Sequence, residues 1–151
     1  MNAVEIEQAI SDLAERPFDR LQFPFAFLEA FGNRDTTLKK LRSAASNKSD
    51  LGGVLQANHI HIKVASQGTV AETLTALRDS PATQNKRHKV RFILATDGIE
   101  FEAEDLTTGE TVACEYNDFP NHFGFFLPLA GITTVKQIRE SSFDIKATGR
   151  L

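Results

Sequence analysis

The sequence predicts an α/β domain in which one mixed sheet is flanked by helices. Two observations lead to this fold class. Up to about residue 46, apolar residues recur at helical spacing, whereas several later segments alternate polar and apolar residues with period two. The order of elements along the chain is helices, a hairpin, a helix, three strands and a final helix. Such an order is typical of a single mixed sheet with helices packed against it.

Three helices are expected before the first strand. The first is predicted over residues 4–16, where apolar residues form one stripe and a proline follows. The second is rich in phenylalanine, begins at Pro24 and ends before a glycine. The third starts at Asp35 or Thr36, either of which can cap it, and ends near Ser46.

The strands are expected in the second part of the chain. A turn at Asn58 leads into the alternating residues 59–65, which form the second arm of a hairpin. Residues 68–79 return to helical spacing, and residues 90–95 form a strand buried on both faces. Two further strands are predicted over 99–103 and 111–116, after turns at Asp97-Gly98 and Thr108-Gly109. A loop or short helix is predicted over 117–129, and a helix from 135.

Composition places this chain among globular domains. It has 151 residues, of which 41% are apolar and 25% charged, enough for one domain with a core and too apolar for wholesale disorder. No apolar run approaches the length of a membrane span, and the first residues lack the features of a signal peptide. A single cysteine excludes an internal disulfide framework. We expect a cytoplasmic domain with no membrane partner.

Charge is strongly segregated along the chain. The net charge is −3, yet five Lys/Arg and one acid lie between residues 34 and 48, and eight acids with no Lys/Arg lie between residues 97 and 118. A chain sorted in this way can present a basic face to the phosphates of double-stranded DNA. Ordinary solvated faces are the alternative. The candidate DNA-binding residues are Lys39, Lys40, Arg42, Lys48, Lys86, Arg87 and Lys89.

Asp50, His61 and Lys63 form a candidate metal-dependent site. His61 and Lys63 are two residues apart in a predicted strand and therefore share one face, and a hairpin could bring Asp50 beside them. A carboxylate, a second ligand and a lysine at one sheet edge are what a metal-dependent phosphodiester nuclease needs. The acids hold Mg²⁺, and the lysine orients the attacking water or offsets charge at phosphorus. The alternative is an exposed Asp and Lys at strand ends.

Four further features have weaker chemical meaning. Glu29 has apolar neighbours in the sequence. It lies either on the solvent-exposed side of its helix or buried in a functional role. His59 and His61 could bind Zn²⁺, but no second pair completes a site. Gly52-Gly53 is not a phosphate loop, since no Lys-Ser/Thr follows it. Cys114 is expected in the core.

Several blocks of the sequence together resemble a known family. They are residues 27–32, the basic helix after them, the stretch from Asp50 to Lys63, and residues 90–98, 101–106 and 123–131. In this order they are similar to the N-terminal domain of the MmeI-like (Type IIL) restriction–modification proteins, over about residues 23–129. The resemblance implies a PD-(D/E)XK nuclease fold, in which an Asp opens one strand and Glu-x-Lys lies on the next.

The resemblance also assigns roles to residues. Asp50 matches the aspartate, Lys63 the lysine and Glu29 a glutamate of the early helix, while His61 stands where the second carboxylate is expected. Imidazole is a poor ligand for Mg²⁺, so either the nuclease is degenerate, or another carboxylate such as Glu72 substitutes, or a softer metal such as Mn²⁺ is used. The implied catalytic set is Asp50, His61, Lys63, Glu29 and Glu72, with Asp50 and His61 as ligands of Mg²⁺ or Mn²⁺.

The same resemblance implies a larger parent protein. Residues 1–133 would be its nuclease-like N-terminal domain and residues 134–151 the start of a helical linker to an adenine-N6 DNA methyltransferase and a target-recognition domain. S-adenosylmethionine (SAM) would bind in that methyltransferase, since no SAM-binding motif occurs here. Three functions stay open: an active nuclease, a non-catalytic module that binds DNA or supports methylation, and an unrelated α/β interaction domain.

Overall fold

The computed structural model describes residues 2–43 and 46–132. In chain order the elements are α1 (Ala3–Glu15), α2 (Phe23–Ala30), α3 (Asp35–Arg42), β1 (Val54–Gln56), β2 (Ile60–Val64), α4 (Val70–Asp79), α5 (Pro81–Gln84), β3 (Phe92–Thr96), β4 (Glu100–Asp105), β5 (Thr111–Glu115) and a 3₁₀ segment (Tyr116–Ala130).

The five strands form one mixed sheet in the order β1-β2-β3-β4-β5. Strands β2 and β3 are parallel, because α4 and α5 carry the chain back to the start of β3, and every other pair is antiparallel. The mixed sheet flanked by helices confirms the predicted architecture. All five residues of β3 are buried, as its continuous apolar run predicts.

The larger core lies on one face of the sheet, under α1, α2, α3 and the 3₁₀ segment. It is built mainly from phenylalanine: the rings of Phe101 and Phe119 stack at 4.7 Å, and Phe126 meets Phe27 edge-on at 5.2 Å. The smaller core lies on the opposite face, where α4 packs Leu74 and Leu77 against β3. We call the sheet face that carries the larger core the aromatic face, and the opposite sheet face the α4 face.

Element boundaries differ from the predicted ones by a few residues, and two elements differ in kind. The short helix α5 was missed, although Ser80 followed by Pro81 is a helix-start pattern. The segment predicted as a loop or short helix forms 3₁₀ turns that contain Pro120 and Pro128, each of which lacks a backbone N–H and so interrupts a regular helix. The helix predicted from residue 135 and the linker predicted over 134–151 lie outside the described residues.

Local signals explain where the other elements begin and turn. Asn2 and Glu5 form a capping box at the start of α1. Asn58 has φ of 74° in the turn between β1 and β2, where a hairpin turn was predicted. In the part of the chain that is described, no helix is both long and apolar enough to cross a membrane.

Candidate functional site

Asp50 lies in the loop before β1 and caps the short helix α5. Its Oδ1 accepts a hydrogen bond from Ser80 Oγ at 2.6 Å, and its Oδ2 accepts one from the backbone N–H of Ala82 at 3.1 Å. The Ser80 hydrogen bond is the largest reason that the pKa of Asp50 is lowered, and the backbone bonds add to it against the effect of burial. Both carboxylate oxygens therefore already have a partner within the fold.

His61 is completely buried on β2. Its neighbours Ile60 and Ile62 belong to the larger core on the aromatic face. Because side chains alternate along a strand, the His61 imidazole points to the α4 face. There its Nε2 lies 2.7 Å from Ser49 Oγ and its Nδ1 lies 2.8 Å from Thr83 Oγ1. Burial lowers the pKa of His61 to about 4, although the charge of Asp50 opposes this. A neutral imidazole donates to one hydroxyl and accepts from the other.

Lys63 lies on the same face of β2 as His61 and is half-buried. Its ammonium is close to the turn before β1, since a Cβ placed on Gly52 would lie 3.9 Å from Lys63 Nζ. At Gly53 a Cβ would lie 2.2 Å from the carbonyl oxygen of Ile62. The two glycines thus let the loop that carries Asp50 lie directly against the strand that carries His61 and Lys63.

The two glutamates lie elsewhere. Glu29 is exposed on α2 and borders a groove with Asp12 and Arg16 of the α1 region, whereas His61 faces the other side of the sheet. Glu72 is exposed on α4, whose buried residues Val70, Leu74 and Leu77 face the sheet. Neither glutamate completes a metal site with Asp50 and His61. Among the described residues, neither Glu29 nor Glu72 forms with that pair a set of three ligand atoms that all lie within 4.8 Å of one another.

The second predicted pair of ligands, His59 and His61, likewise lacks a third ligand within that distance in the described part of the chain. His59 precedes β2, and burial lowers its pKa. His61 is engaged on both nitrogens by Ser49 and Thr83. Three hydroxyl residues that bond to Asp50 or His61 were not identified in the sequence analysis: Ser49, Ser80 and Thr83. Ser80 alone gave a signal, as a helix cap before Pro81.

All candidate DNA-binding side chains are exposed. Within residues 2–43 and 46–132, none of them takes part in an ion pair. Arg42 is held against α2, where its guanidinium lies 4.3 Å from the centre of the Phe25 ring and donates to Gln22 Oε1 at 2.6 Å. The exposed residues are Lys39, Lys40, Arg42, Lys48, Lys86, Arg87 and Lys89.

Backbone hydrogen bonds connect the basic regions to the β1–β2 hairpin at one edge of the sheet. The N–H of Lys48 donates to the carbonyl of Leu55 in β1 at 3.2 Å, and the N–H of Asn58 donates to the carbonyl of His88 at 2.6 Å. Acidic residues concentrate in and around β4 and β5, towards the opposite edge. The segregation of charge along the sequence is therefore a segregation across the sheet.

Comparisons with known proteins agree with the resemblance seen in the sequence. Residues 1–151 match the family model described as MmeI, N-terminal domain. The chain is 26% identical over 151 residues to DNA methyltransferase A of Bacillus subtilis (strain 168), a match that covers 99% of this chain and 17% of that protein. No solved structure matches the chain. Because the family model covers every residue, the chain belongs to the MmeI N-terminal domain family.

Proposed function

We propose that this chain is the nuclease-like, DNA-binding module of a restriction–modification type DNA methyltransferase, and that His61 closes its metal position. One observation carries the proposal: both ring nitrogens of His61 hydrogen-bond to hydroxyls inside the fold, at 2.7 and 2.8 Å. A cation at this position would have to displace Ser49 or Thr83 from a completely buried ring. Leaving either hydroxyl without a partner costs about 1–3 kcal/mol.

Two arrangements support a PD-(D/E)XK-like origin of the fold. Asp50 precedes β1 and Lys63 lies on the antiparallel neighbour β2, which is the order that the family resemblance implies. Asp50 and His61 both bond to residues 80–83, and Lys63 shares their face of the sheet. These contacts support the proposal of such a site, with a neutral imidazole at the position where the resemblance implies the second carboxylate. This arrangement favours a nuclease-like module without catalysis.

The nuclease itself is the second candidate function, favoured by Asp50 and Lys63 lying on one side of the sheet. Mg²⁺ or Mn²⁺ would be its cofactor, held by Asp50 and a carboxylate. For Glu29 or Glu72 to complete the coordination of the metal, its side chain would have to reach the α4 face near Asp50. We therefore expect no cleavage by the unaltered protein in either metal.

Supercoiled-plasmid nicking distinguishes the two functions. We expect no nicking by the unaltered protein in Mg²⁺ or Mn²⁺, and Mg²⁺-dependent nicking by His61→Glu, because this change returns the missing carboxylate beside Asp50. Adding Lys63→Ala to His61→Glu should abolish the gained activity. Nicking by the unaltered protein that disappears in both Asp50→Asn and Lys63→Ala would contradict a non-catalytic module.

DNA binding is expected to depend on the exposed basic residues. Neutralising Lys39, Lys40, Lys86, Arg87 and Lys89 together should weaken binding to a fluorescent duplex by about tenfold or more. The slope of log affinity against log salt should become shallower by up to about 0.9 for each phosphate that the protein no longer neutralises. Fluorescence anisotropy at several salt concentrations measures both quantities.

The matched control for one member of this set is an exposed arginine that lines a groove with Tyr116, directly after β5. Arg16 lies between α1 and α2, so Arg16→Ala should leave the affinity and the salt slope unchanged, whereas Arg87→Ala should reduce both. Equal effects of the two substitutions, or an unaltered affinity after all five neutralisations, would show that these residues do not bind the DNA backbone.

The family resemblance, together with the matched relative, supports a role for the parent protein. The matched protein is named a DNA methyltransferase, and this chain spans only about a sixth of its length. We infer that the module acts beside an adenine-N6 methyltransferase and a target-recognition domain, where SAM and the DNA sequence are bound. The module would add phosphate contacts, which raise affinity without reading sequence.

A further inference from the structure

A second group of potential metal ligands, separate from the site on β2, lies on the aromatic face, where β5 passes into the 3₁₀ segment. Cys114, Asp118 and His122 are the only group in the described part of the chain that offers three ligand atoms all within 4.8 Å of one another. Strand alternation turns Cys114 towards the helices, and it is half-buried against the larger core. Asp118 and His122 are four residues apart in the segment that begins directly after this strand.

Local contacts orient the two ligands of the 3₁₀ segment. Asn121 Nδ2 donates to Asp118 Oδ1 at 2.6 Å, and the other oxygen, Oδ2, lies 3.6 Å from His122 Nε2. The backbone departs from helical geometry at His122, with φ of −112° and ψ of 17°. Two helical stretches therefore meet at this residue, and its ring lies over the preceding turn.

We propose that Cys114 Sγ, an Asp118 carboxylate oxygen and His122 Nε2 bind one divalent transition-metal ion of the zinc class. An oxygen and a nitrogen ligand on tetrahedral Zn²⁺ are separated by about 3.3–3.5 Å, given metal–ligand bonds of about 2.0–2.2 Å. The Asp118 Oδ2–His122 Nε2 separation of 3.6 Å is close to this value. The side chains of Asp118 and His122 are 51% and 39% exposed, so they are free to close on an ion by rotation.

The ligand types select the metal. Thiolate sulfur and imidazole nitrogen favour Zn²⁺ or Co²⁺, whereas Mg²⁺ and Ca²⁺ prefer sites built only from oxygen. Three protein ligands leave a fourth position for water, as in open zinc sites. The nuclease-like site on β2 contains no sulfur. It lies on the other sheet face and three strand spacings away, about 14 Å.

The surrounding charge favours a cation. Eight acids and no Lys or Arg occur between residues 97 and 118, and Glu115 lies beside the proposed ligands. Burial, followed by the charges of Asp118 and Glu115, raises the pKa of Cys114 to about 11.

Cobalt spectroscopy is a sharp test because Cys114 is the only cysteine of the 151 residues. Titration of the chain with Co²⁺ should produce a thiolate-to-cobalt charge-transfer band that saturates at one ion per chain and is displaced by Zn²⁺. Cys114→Ser should abolish this band. Asp118→Asn and His122→Gln should each weaken Zn²⁺ binding at least tenfold, as measured by competition with a chromophoric chelator.

Matched substitutions outside the ligand set control for charge and for histidine content. His59→Gln removes a histidine at the β1–β2 hairpin, and Glu115→Gln removes a neighbouring charge without removing a ligand; each should change Zn²⁺ affinity by less than about threefold. A melting temperature that rises with Zn²⁺ in the unaltered chain and not in His122→Gln shows binding to the folded state. The proposal is overturned if no charge-transfer band forms, or if Zn²⁺ affinity is unchanged in Asp118→Asn and His122→Gln.

Discussion

Acidification from about pH 7 to about pH 4 is expected to remove about 3 kcal/mol from the free energy of unfolding through His61 alone. The folded-state pKa of His61 is about 4, against an ordinary value of 6.5. As the pH falls through 6.5, the unfolded chain binds a proton at this residue before the folded chain does. Stability is therefore lost between pH 6.5 and pH 4, at about 1.4 kcal/mol for each pH unit.

Denaturant unfolding of the unaltered chain and of His61→Gln, at a series of pH values, isolates this contribution. Glutamine can still donate to one hydroxyl and accept from the other, but it does not titrate. The difference between the two stability curves should therefore change by about 3 kcal/mol across this range. The lowered pKa values of Asp50 and Asp97 also cost stability in acid, and they act in both proteins.

Parallel curves for the unaltered chain and His61→Gln would mean that His61 is not held neutral in the fold. The closed metal position of the proposed function would then lose its physical basis.

Replacing Asp105 with alanine is expected to lower the free energy of unfolding by about 3 kcal/mol. Asp105 is only 3% exposed, and its carboxylate accepts two hydrogen bonds from Arg91 to Oδ2, at 3.2 Å from Nε and 3.0 Å from Nη2. It also accepts one from the backbone N–H of Thr107 at 2.9 Å. Removal leaves the Arg91 guanidinium, which also lies 5.3 Å from the centre of the Phe92 ring, without its counter-charge.

The Arg78–Glu104 pair provides the matched control on the same strand. Its Nη2–Oε1 distance is 2.6 Å, but its two side chains are 41% and 16% exposed, against 33% and 5% for Arg91 and Asp105, so water reaches more of this pair. Glu104→Ala should therefore cost at most about 1 kcal/mol. Chemical denaturation of both variants gives the comparison. Equal losses in the two variants would show that burial of Asp105 does not determine the cost.

Most of the layout of elements, and the family, can be recognised from the order of residues alone. Helical spacing before residue 46 and period-two spacing after residue 59 predict the helices and strands, because one buried face imposes its period on the local pattern. The turns at Asn58, Asp97-Gly98 and Thr108-Gly109 follow from the backbone preferences of those residues. The charge blocks and the ordered family motifs can also be read directly along the chain.

Which of these residues contact one another depends on the tertiary fold. His61 bonds to Ser49 and Thr83, which are 12 and 22 positions away, and Glu29 lies across the sheet from it. Arg91 meets Asp105 because β3 and β4 pair in this register, whereas Cys114 lies near His122 because the 3₁₀ segment follows β5 directly. Sequence patterns report which face a residue takes, whereas partners depend on strand order and register, which periodicity does not encode.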